Sequence, residues 1–357
     1  MKKVVIFLLL ICLFLVGCGK QDHHSDDPQP SSHQVSLVAV GDNLIHQSIY
    51  QSVYENNSYD FRPIYQEIKD FIQPYDLKFI NQETILGGSQ LGLSSYPCFN
   101  SPLELGDALI DAGFNLFSIA NNHTLDRGEQ AIKNAIKFFE ENKVIYSGAV
   151  NNDDTSQVKK FNKNGISFAF VAYTYGTNGI KHPEGKTYLA NIYSQELAKK
   201  DLEDLDVDVK IVSMHWGEEY QDYPSKIQIE QAKYLSTLGV DVIIGHHPHV
   251  IQPVAMLNRS DSGKTFVIYS LGNFLSDQKG IDRLIGMAIS IEIVKKEEVI
   301  SLKNHRAKLI YRYKDNNNQF QIKLYEKLNE AIIVDYDKYY LEKKNLIKHY
   351  YPDIKVS

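Results

Sequence analysis

The sequence predicts an α/β domain, and three observations carry that expectation. Short β-branched runs recur along the chain, most of them end in Gly, Asn, Asp or His, and a stretch with helical spacing usually follows. Polar strand ends in such domains gather along one edge of the sheet. The densest of them is Gly245-His246-His247-Pro248-His249, directly after the apolar run Val240–Ile244. Imidazole is a common ligand of Zn, Mn and Fe ions, and several imidazoles on one rigid strand end form a preorganised half-site.

The chain opens Met1-Lys2-Lys3 and continues with the apolar run Val4–Val16, which reads as a signal peptide, residues 1–17, rather than a fold element. The following Leu15-Val16-Gly17-Cys18 resembles a bacterial lipobox with Cys18 as the lipidated residue. The alternative is an uncleaved membrane anchor. Either places the remainder on the outer face of the cytoplasmic membrane, tethered to it. Residues 18–34 are polar, cannot bury a core and are expected to be a flexible tether with His23, His24 and His33 facing solvent. Of the three cysteines only Cys98 falls in the folded part, so an intrachain disulfide is excluded there. Cys98 beside Pro97 is expected to be a small buried residue. The net charge of −6 argues against nucleic acid as a partner.

Val35–Val40 is the first expected strand, followed by Gly41-Asp42-Asn43. Asp42 can be a carboxylate ligand or a helix cap. His46, four residues on, shares its face if a helix follows. Helical spacing then covers Phe61–Phe71, and Asp76–Ile80 leads into Asn81-Gln82-Glu83. Alternation puts Asn81 on the same side as Glu83, able to steer that carboxylate. Gly87–Pro102 is a long Gly-, Ser- and Pro-rich loop of the kind that often serves a site.

A helix over Leu103–Ala112 precedes the strand Phe114–Ala120 and the turn Asn121-Asn122-His123. Asp126 with Glu129 offers a capping box for the next helix, competing with a catalytic role for Asp126. Lys143–Tyr146 reads as a short strand, and Val158–Lys163 with Ile166–Tyr175 reads as a hairpin around Asn164-Gly165. After a helix at Glu196–Asp204, Val207–Met214 ends in His215-Trp216-Gly217-Glu218-Glu219. Ser225 and Gln228 cap the helix that delivers the chain to the histidine cluster. Thr265–Ser270 precedes Asn273, a candidate support for the site, and Gly286–Val294 and Val299–Tyr313 read as strands. The domain is expected to span residues 35–313, with 314–357 a helical tail packed outside it.

The ordered set Gly41-Asp42, Asn81-x-Glu83, Asn121-Asn122-His123, His215-Trp216-Gly217-x-Glu219-Tyr220, Gly245-His246-His247-Pro248-His249 and Ser270-Leu271-Gly272-Asn273-Phe274 resembles the CapA (PgsA) family of poly-γ-glutamate capsule biosynthesis proteins. The resemblance implies a metallo-dependent phosphatase-type fold, a four-layer α/β/β/α sandwich of two mixed sheets. It implies metal ligands at Asp42, Glu83, Asn122, His215, His247 and His249, with His123 as the acid for a leaving group. Asp126 is placed with His123 as catalytic, and His46, Asn81, Glu219, His246 and Asn273 as support. The chain departs from the superfamily pattern in two places: Leu44 stands where a histidine usually follows the first aspartate, and Glu83 replaces a bridging aspartate.

Mixed oxygen and nitrogen donors suit one or two divalent transition-metal ions, Mn, Fe or Zn. Two such ions about 3.5–4 Å apart clamp a phosphoryl oxygen and acidify a bound water. Three functions compete on the sequence: a lipid-anchored component of a poly-γ-glutamate synthase or export complex, an extracytoplasmic phosphoesterase of unrelated substrate, and a non-catalytic polyanion-binding protein.

Overall fold

A computed structural model describes residues 32–357. The signal peptide, Cys18 and residues 18–31 of the expected tether lie outside them. Among the described residues no helix is long and apolar enough to cross a membrane.

One sheet has nine strands. Its path runs Phe320–Leu324, Val299–Lys314, Ile285–Lys296, Ser32–Asn43, Leu77–Gln82, Leu116–Ser118, Ile145–Ser147. Ser32–Asn43 is antiparallel to Ile285–Lys296 and parallel to Leu77–Gln82, so the sheet is mixed. The second sheet has six strands, in the order Val254–Asn258, Lys264–Ile268, Val242–His246, Val209–His215, Ile166–Thr174, Lys159–Lys163. Its inner strands are parallel and its two edge strands antiparallel.

Strand alternation sorts the side chains into layers. Val35, Leu37 and Ala39 meet Phe168, Phe170, Ile211 and Ile244 between the sheets. Val38 and Val40 point the other way, against Ile64 and Ile68 of Arg62–Ile72, Leu105 of Leu103–Asp111, and Ile132 and Phe139 of Gly128–Glu141. Val212, Met214 and Ile243 turn outward onto Ala198 of Gln195–Leu202 and Ala232 and Leu235 of Lys226–Thr237. Helix, sheet, sheet and helix therefore stack in the expected four layers. The expected capping box is present, with the Gln228 N–H donating to Ser225 Oγ at 3.3 Å and Ser225 N–H to Gln228 Oε1 at 2.8 Å.

Close backbone approach explains the glycines that precede two of the polar strand ends. A Cβ on Gly41 would lie 1.8 Å from the Gly272 carbonyl oxygen, and one on Gly245 2.1 Å from that of Tyr269. Asp42 N–H donates to the same Gly272 oxygen at 3.0 Å, which seats the Asp42 backbone.

Four expectations are corrected. The first strand begins at Ser32, and half-buried His33 pairs with Lys295 and lies against Gly165 instead of facing solvent. Phe320–Leu324 is a strand, not the start of a helical tail: Phe320, Ile322 and Leu324 are buried and the two residues between them are not, the two-residue period of a sheet edge. The tail's helix is confined to Tyr336–Ile347, and Lys355–Val356 pairs in parallel with Val299–Lys314. Cys98 is exposed, at the tip of a small excursion closed by the Ser94–Asn100 bridge.

Candidate metal centre

The polar strand ends from both sheets meet at one edge. Asp42 comes from Ser32–Asn43 and Glu83 directly follows Leu77–Gln82. Asn122 and His123 sit beyond Leu116–Ser118, while His215 and His246 are the last residues of their own strands. His247 and His249 flank Pro248 with φ of 101° and 60°. Non-glycine residues in that region cost roughly 1–3 kcal/mol each and persist where the surroundings enforce them. Here the His247 N–H donates to Asp42 Oδ2 at 3.2 Å, and Tyr220 N–H donates to the Pro248 oxygen at 2.8 Å.

Two groups of three have ligand atoms within 4.8 Å of one another: Asp42, His215 and His246, and Glu83, His247 and His249. All six residues are buried. Glu83 Oε1 lies between the groups, 3.8 Å from His215 Nε2 and 3.6 Å from His249 Nε2. These separations are too long for hydrogen bonds. They suit donors sharing one cation, since two donors each about 2.1 Å from an ion sit roughly 3.4 Å apart at the tetrahedral angle. Both Glu83 oxygens and His247 Nδ1 are buried without a hydrogen-bond partner. Orphaned polar atoms of this kind are rare and call for a counter-charge. The donor set therefore fits a divalent metal.

Both nitrogens of His246 are engaged: Nδ1 lies 2.9 Å from His215 Nδ1, and Nε2 lies 2.5 Å from Ser213 Oγ. His246 thus stands behind His215. If His215 Nδ1–H donates to His246, His215 Nε2 is left with its lone pair facing Glu83 and Asn122 Oδ1, 2.9 Å away.

Electrostatics divides the histidines. Burial, reinforced by neighbouring histidines, pushes His215 well below its usual range and His247 down to about 3, and burial takes His246 to about 4. Burial also opposes charge on His249, but Glu83 and Asp42 outweigh it and raise this imidazole to about 9. Asp42 resists its own burial through the hydrogen bond and charge of His249 and stays below the usual carboxylate range. Burial and the Asp42 charge push Glu83 well above that range. Ligation requires neutral imidazole and ionised carboxylate. Loading Zn at pH 7 is therefore expected to release at least one proton per protein, from the interacting pair His249 and Glu83, and less as pH rises through 9. Calorimetry in buffers of different ionisation enthalpy measures this, and zero release at pH 7 would contradict it.

His123 Nδ1 lies 2.7 Å from Asp126 Oδ2, which also accepts the Phe99 N–H at 2.6 Å. The Phe99 ring meets His123 edge-on at 4.7 Å and His46 at 5.4 Å. The capping-box expectation for Asp126 is thereby overturned: the Gly128–Glu141 helix starts after Arg127 and has no side-chain cap. Asn81 is also reassigned, since its Nδ2 donates to Asp42 Oδ1 at 2.8 Å and steers that carboxylate rather than Glu83. His46 caps the short helix Gln47–Ser52 by position, bonds the Leu44 carbonyl oxygen at 3.1 Å, and belongs to neither ligand group. Asn273 Oδ1 is 3.0 Å from His249 Nδ1, and Glu219 is exposed. Trp216 is buried, its Nε1–H donating to the Tyr269 oxygen at 2.9 Å.

The sequence reading missed Tyr175, whose ring lies 4.8 Å from that of His247, and Asn178, whose Oδ1 accepts from Asn122 at 3.2 Å. Both belong to a loop with no ligand-like spacing. Tyr175 immediately follows the strand Ile166–Thr174, however, and that strand-end position was its one available signal.

A family model described as bacterial capsule synthesis protein PGA_cap matches residues 36–278. The chain is similar to the capsule biosynthesis protein CapA of Bacillus anthracis, 35% identical over 182 residues that make up 49% of this chain and 43% of that protein. It is similar to the PGA biosynthesis protein CapA of Bacillus subtilis (strain 168), 31% identical over 182 residues, 48% of this chain and 44% of that protein. The matched part spans less than half the length of either relative. Among solved structures, a novel phosphatase of Mycoplasma pneumoniae superposes with a TM-score of 0.49 at 13% identity, covering 85% of this chain and 99% of that one.

Proposed function

The chain belongs to the PGA_cap family of bacterial capsule synthesis proteins, and from that premise we propose that it is a membrane-tethered, extracytoplasmic component of poly-γ-glutamate synthesis or export with a hydrolytic metal site. The observation that carries the site is Glu83, buried with both oxygens unpaired and facing His215 and His249. The cationic start and apolar run of residues 1–17, with Cys18 after them, support the tether.

In this reading Asp42, Glu83, Asn122, His215, His247 and His249 hold one or two ions of Mn, Fe or Zn. Bound there, the metal supplies positive charge to a phosphoryl oxygen and a more acidic water. The chain supplies the rest. His246 fixes the tautomer of His215, Asn81 and Asn273 orient Asp42 and His249, and Phe99 and Tyr175 wall the site with apolar surface. His123 protonates the departing oxygen from Nε2 while Asp126 holds its Nδ1–H. Full provision for the acid favours turnover over polyanion binding alone.

Elemental analysis of the purified protein tests this, alongside the double variant His247→Ala and His249→Ala. The expected result is one to two equivalents of transition metal in the wild type, lost in the variant, with turnover of an aryl phosphate only in the loaded protein. A folded wild type that holds no metal after incubation with Mn, Fe or Zn would overturn the reading.

A further inference from the structure

One wall of the site has no part in holding metal. Tyr220 stands at φ 66°, its N–H held by the Pro248 oxygen between the two candidate histidine ligands. That strained backbone directs its ring to 6.2 Å from the ring of His249. Tyr220 is 45% exposed, so the residue meets solvent beside His249 instead of lying in the core. The Arg283 guanidinium carbon lies 4.7 Å from the centre of the same ring. Among the described residues Arg283 forms no ion pair, whereas nearby Lys279 is paired with Asp277 and Lys343 with Asp282.

The placement is built from behind. Asn273, which supports His249 through Oδ1, donates from Nδ2 to the Arg283 carbonyl oxygen at 3.0 Å and to Gln278 Oε1 at 2.9 Å. Gln278 in turn donates to the Tyr220 hydroxyl at 3.3 Å. A single amide thus sets both a candidate ligand and the backbone that carries the arginine. Glu219 is exposed next to Tyr220, and its negative charge bears on both Tyr220 and Glu83.

We propose that Arg283, stacked on Tyr220, is an anion subsite that binds a second negative group of the substrate beside the metal centre. This rests on the metal-site reading above and adds a substrate class: molecules carrying a further carboxylate or phosphate within reach of the group held at the metal. A guanidinium presents a planar fork to either anion, and a neighbouring aromatic face orients it.

The test measures binding by calorimetry to metal-loaded full-length protein. The probes are butylphosphonate, phosphonobutyrate and butane bisphosphonate, compared within each variant so that any general loss of binding cancels. In the wild type the two probes with a second anionic group are expected to bind about tenfold more tightly than butylphosphonate, which is about 1.4 kcal/mol. The preferred second group identifies carboxylate or phosphate as the recognised anion. In Arg283→Gln the ratio should fall to about one, and in Arg283→Lys it should recover in part. Tyr220→Leu, which removes the stacking face but not the charge, should lower it as well. A wild-type ratio of one, or a ratio unchanged in Arg283→Gln, overturns the subsite while leaving the metal reading intact. Failure of the metal reading is separately visible, as absence of metal and of butylphosphonate binding in the wild type, and the subsite then falls with it.

Discussion

In metal-loaded protein, His123→Ala is expected to slow turnover of an alkyl phosphate about 100- to 10,000-fold while metal content stays unchanged. His123 belongs to neither ligand group, so its removal leaves the donor set whole. Its Nδ1 contact with Asp126 at 2.7 Å fixes the ring so that Nε2 is the atom available to a departing oxygen. The loss should depend on the leaving group. An alkyl phosphate, whose alkoxide needs a proton, should suffer far more than p-nitrophenyl phosphate, whose phenolate leaves unaided. Asp126→Asn should show the same dependence at smaller amplitude, because the amide can still hold the ring but can present the wrong partner atom to Nδ1. Equal losses on both substrates would remove His123 from the acid role and leave it a packing residue against Phe99.

Glu83→Gln is expected to abolish tight metal binding and, in the same molecule, to raise the melting temperature of the metal-free protein. The physical cause is one group with two effects. Buried and without hydrogen bonds, the carboxylate is costly to ionise. Glutamine cannot ionise in either state, so the variant escapes this cost, about 1.4 kcal/mol for each pH unit between the unfolded and folded values, or a few degrees. The sign with pH follows from linkage. A carboxyl raised above its unfolded value of 4.5 leaves the folded state protonated where the unfolded state has already ionised. The wild type therefore loses stability as pH rises above 4.5, and its deficit against Glu83→Gln grows until the folded-state carboxyl itself ionises. Below that window the two should converge. Thermal melts of both proteins, metal-free, across acid to neutral pH measure this. A variant no more stable than wild type at pH 7 would mean that Glu83 is satisfied in a way the geometry does not show.

Much of the fold and most of the candidate donors were legible because they share one grammar. Val35–Val40, Asp76–Ile80, Val207–Met214 and Val240–Ile244 are apolar runs that end in a polar residue, and each such end reaches the same edge. What depended on tertiary geometry was not legible. Asn81 alternates correctly with Glu83, yet it bonds Asp42 because Ser32–Asn43 lies alongside in register. Asp126 satisfies a capping pattern, but His123 and the Phe99 backbone compete for it and win. Phe320–Leu324 carried a clear two-residue period, obscured by the Lys-, Glu- and Tyr-rich composition of the segment that follows. Arg283 has no motif at all. Its position comes from Asn273 and Tyr220, ten and sixty-three residues away in sequence.

The donors are drawn from two different sheets. Asp42 lies in, and Glu83 directly follows, a strand of the nine-stranded sheet, while His215 and His246 end strands of the six-stranded one and His247 and His249 follow the second of these. A cation held by Glu83 together with His215 or His249 is therefore a rivet across the seam of the sandwich, set at one end only. Opening of the seam from that end would require the rivet to be released first. Amide exchange with deuterium should then slow on loading at Ser213–His215 and Ile80–Gln82, near the rivet, far more than at Val209–Lys210 and Leu77–Lys78, the opposite ends of the same strands. The loaded protein would then resist proteolysis through a slower unfolding rate, without any change in its core.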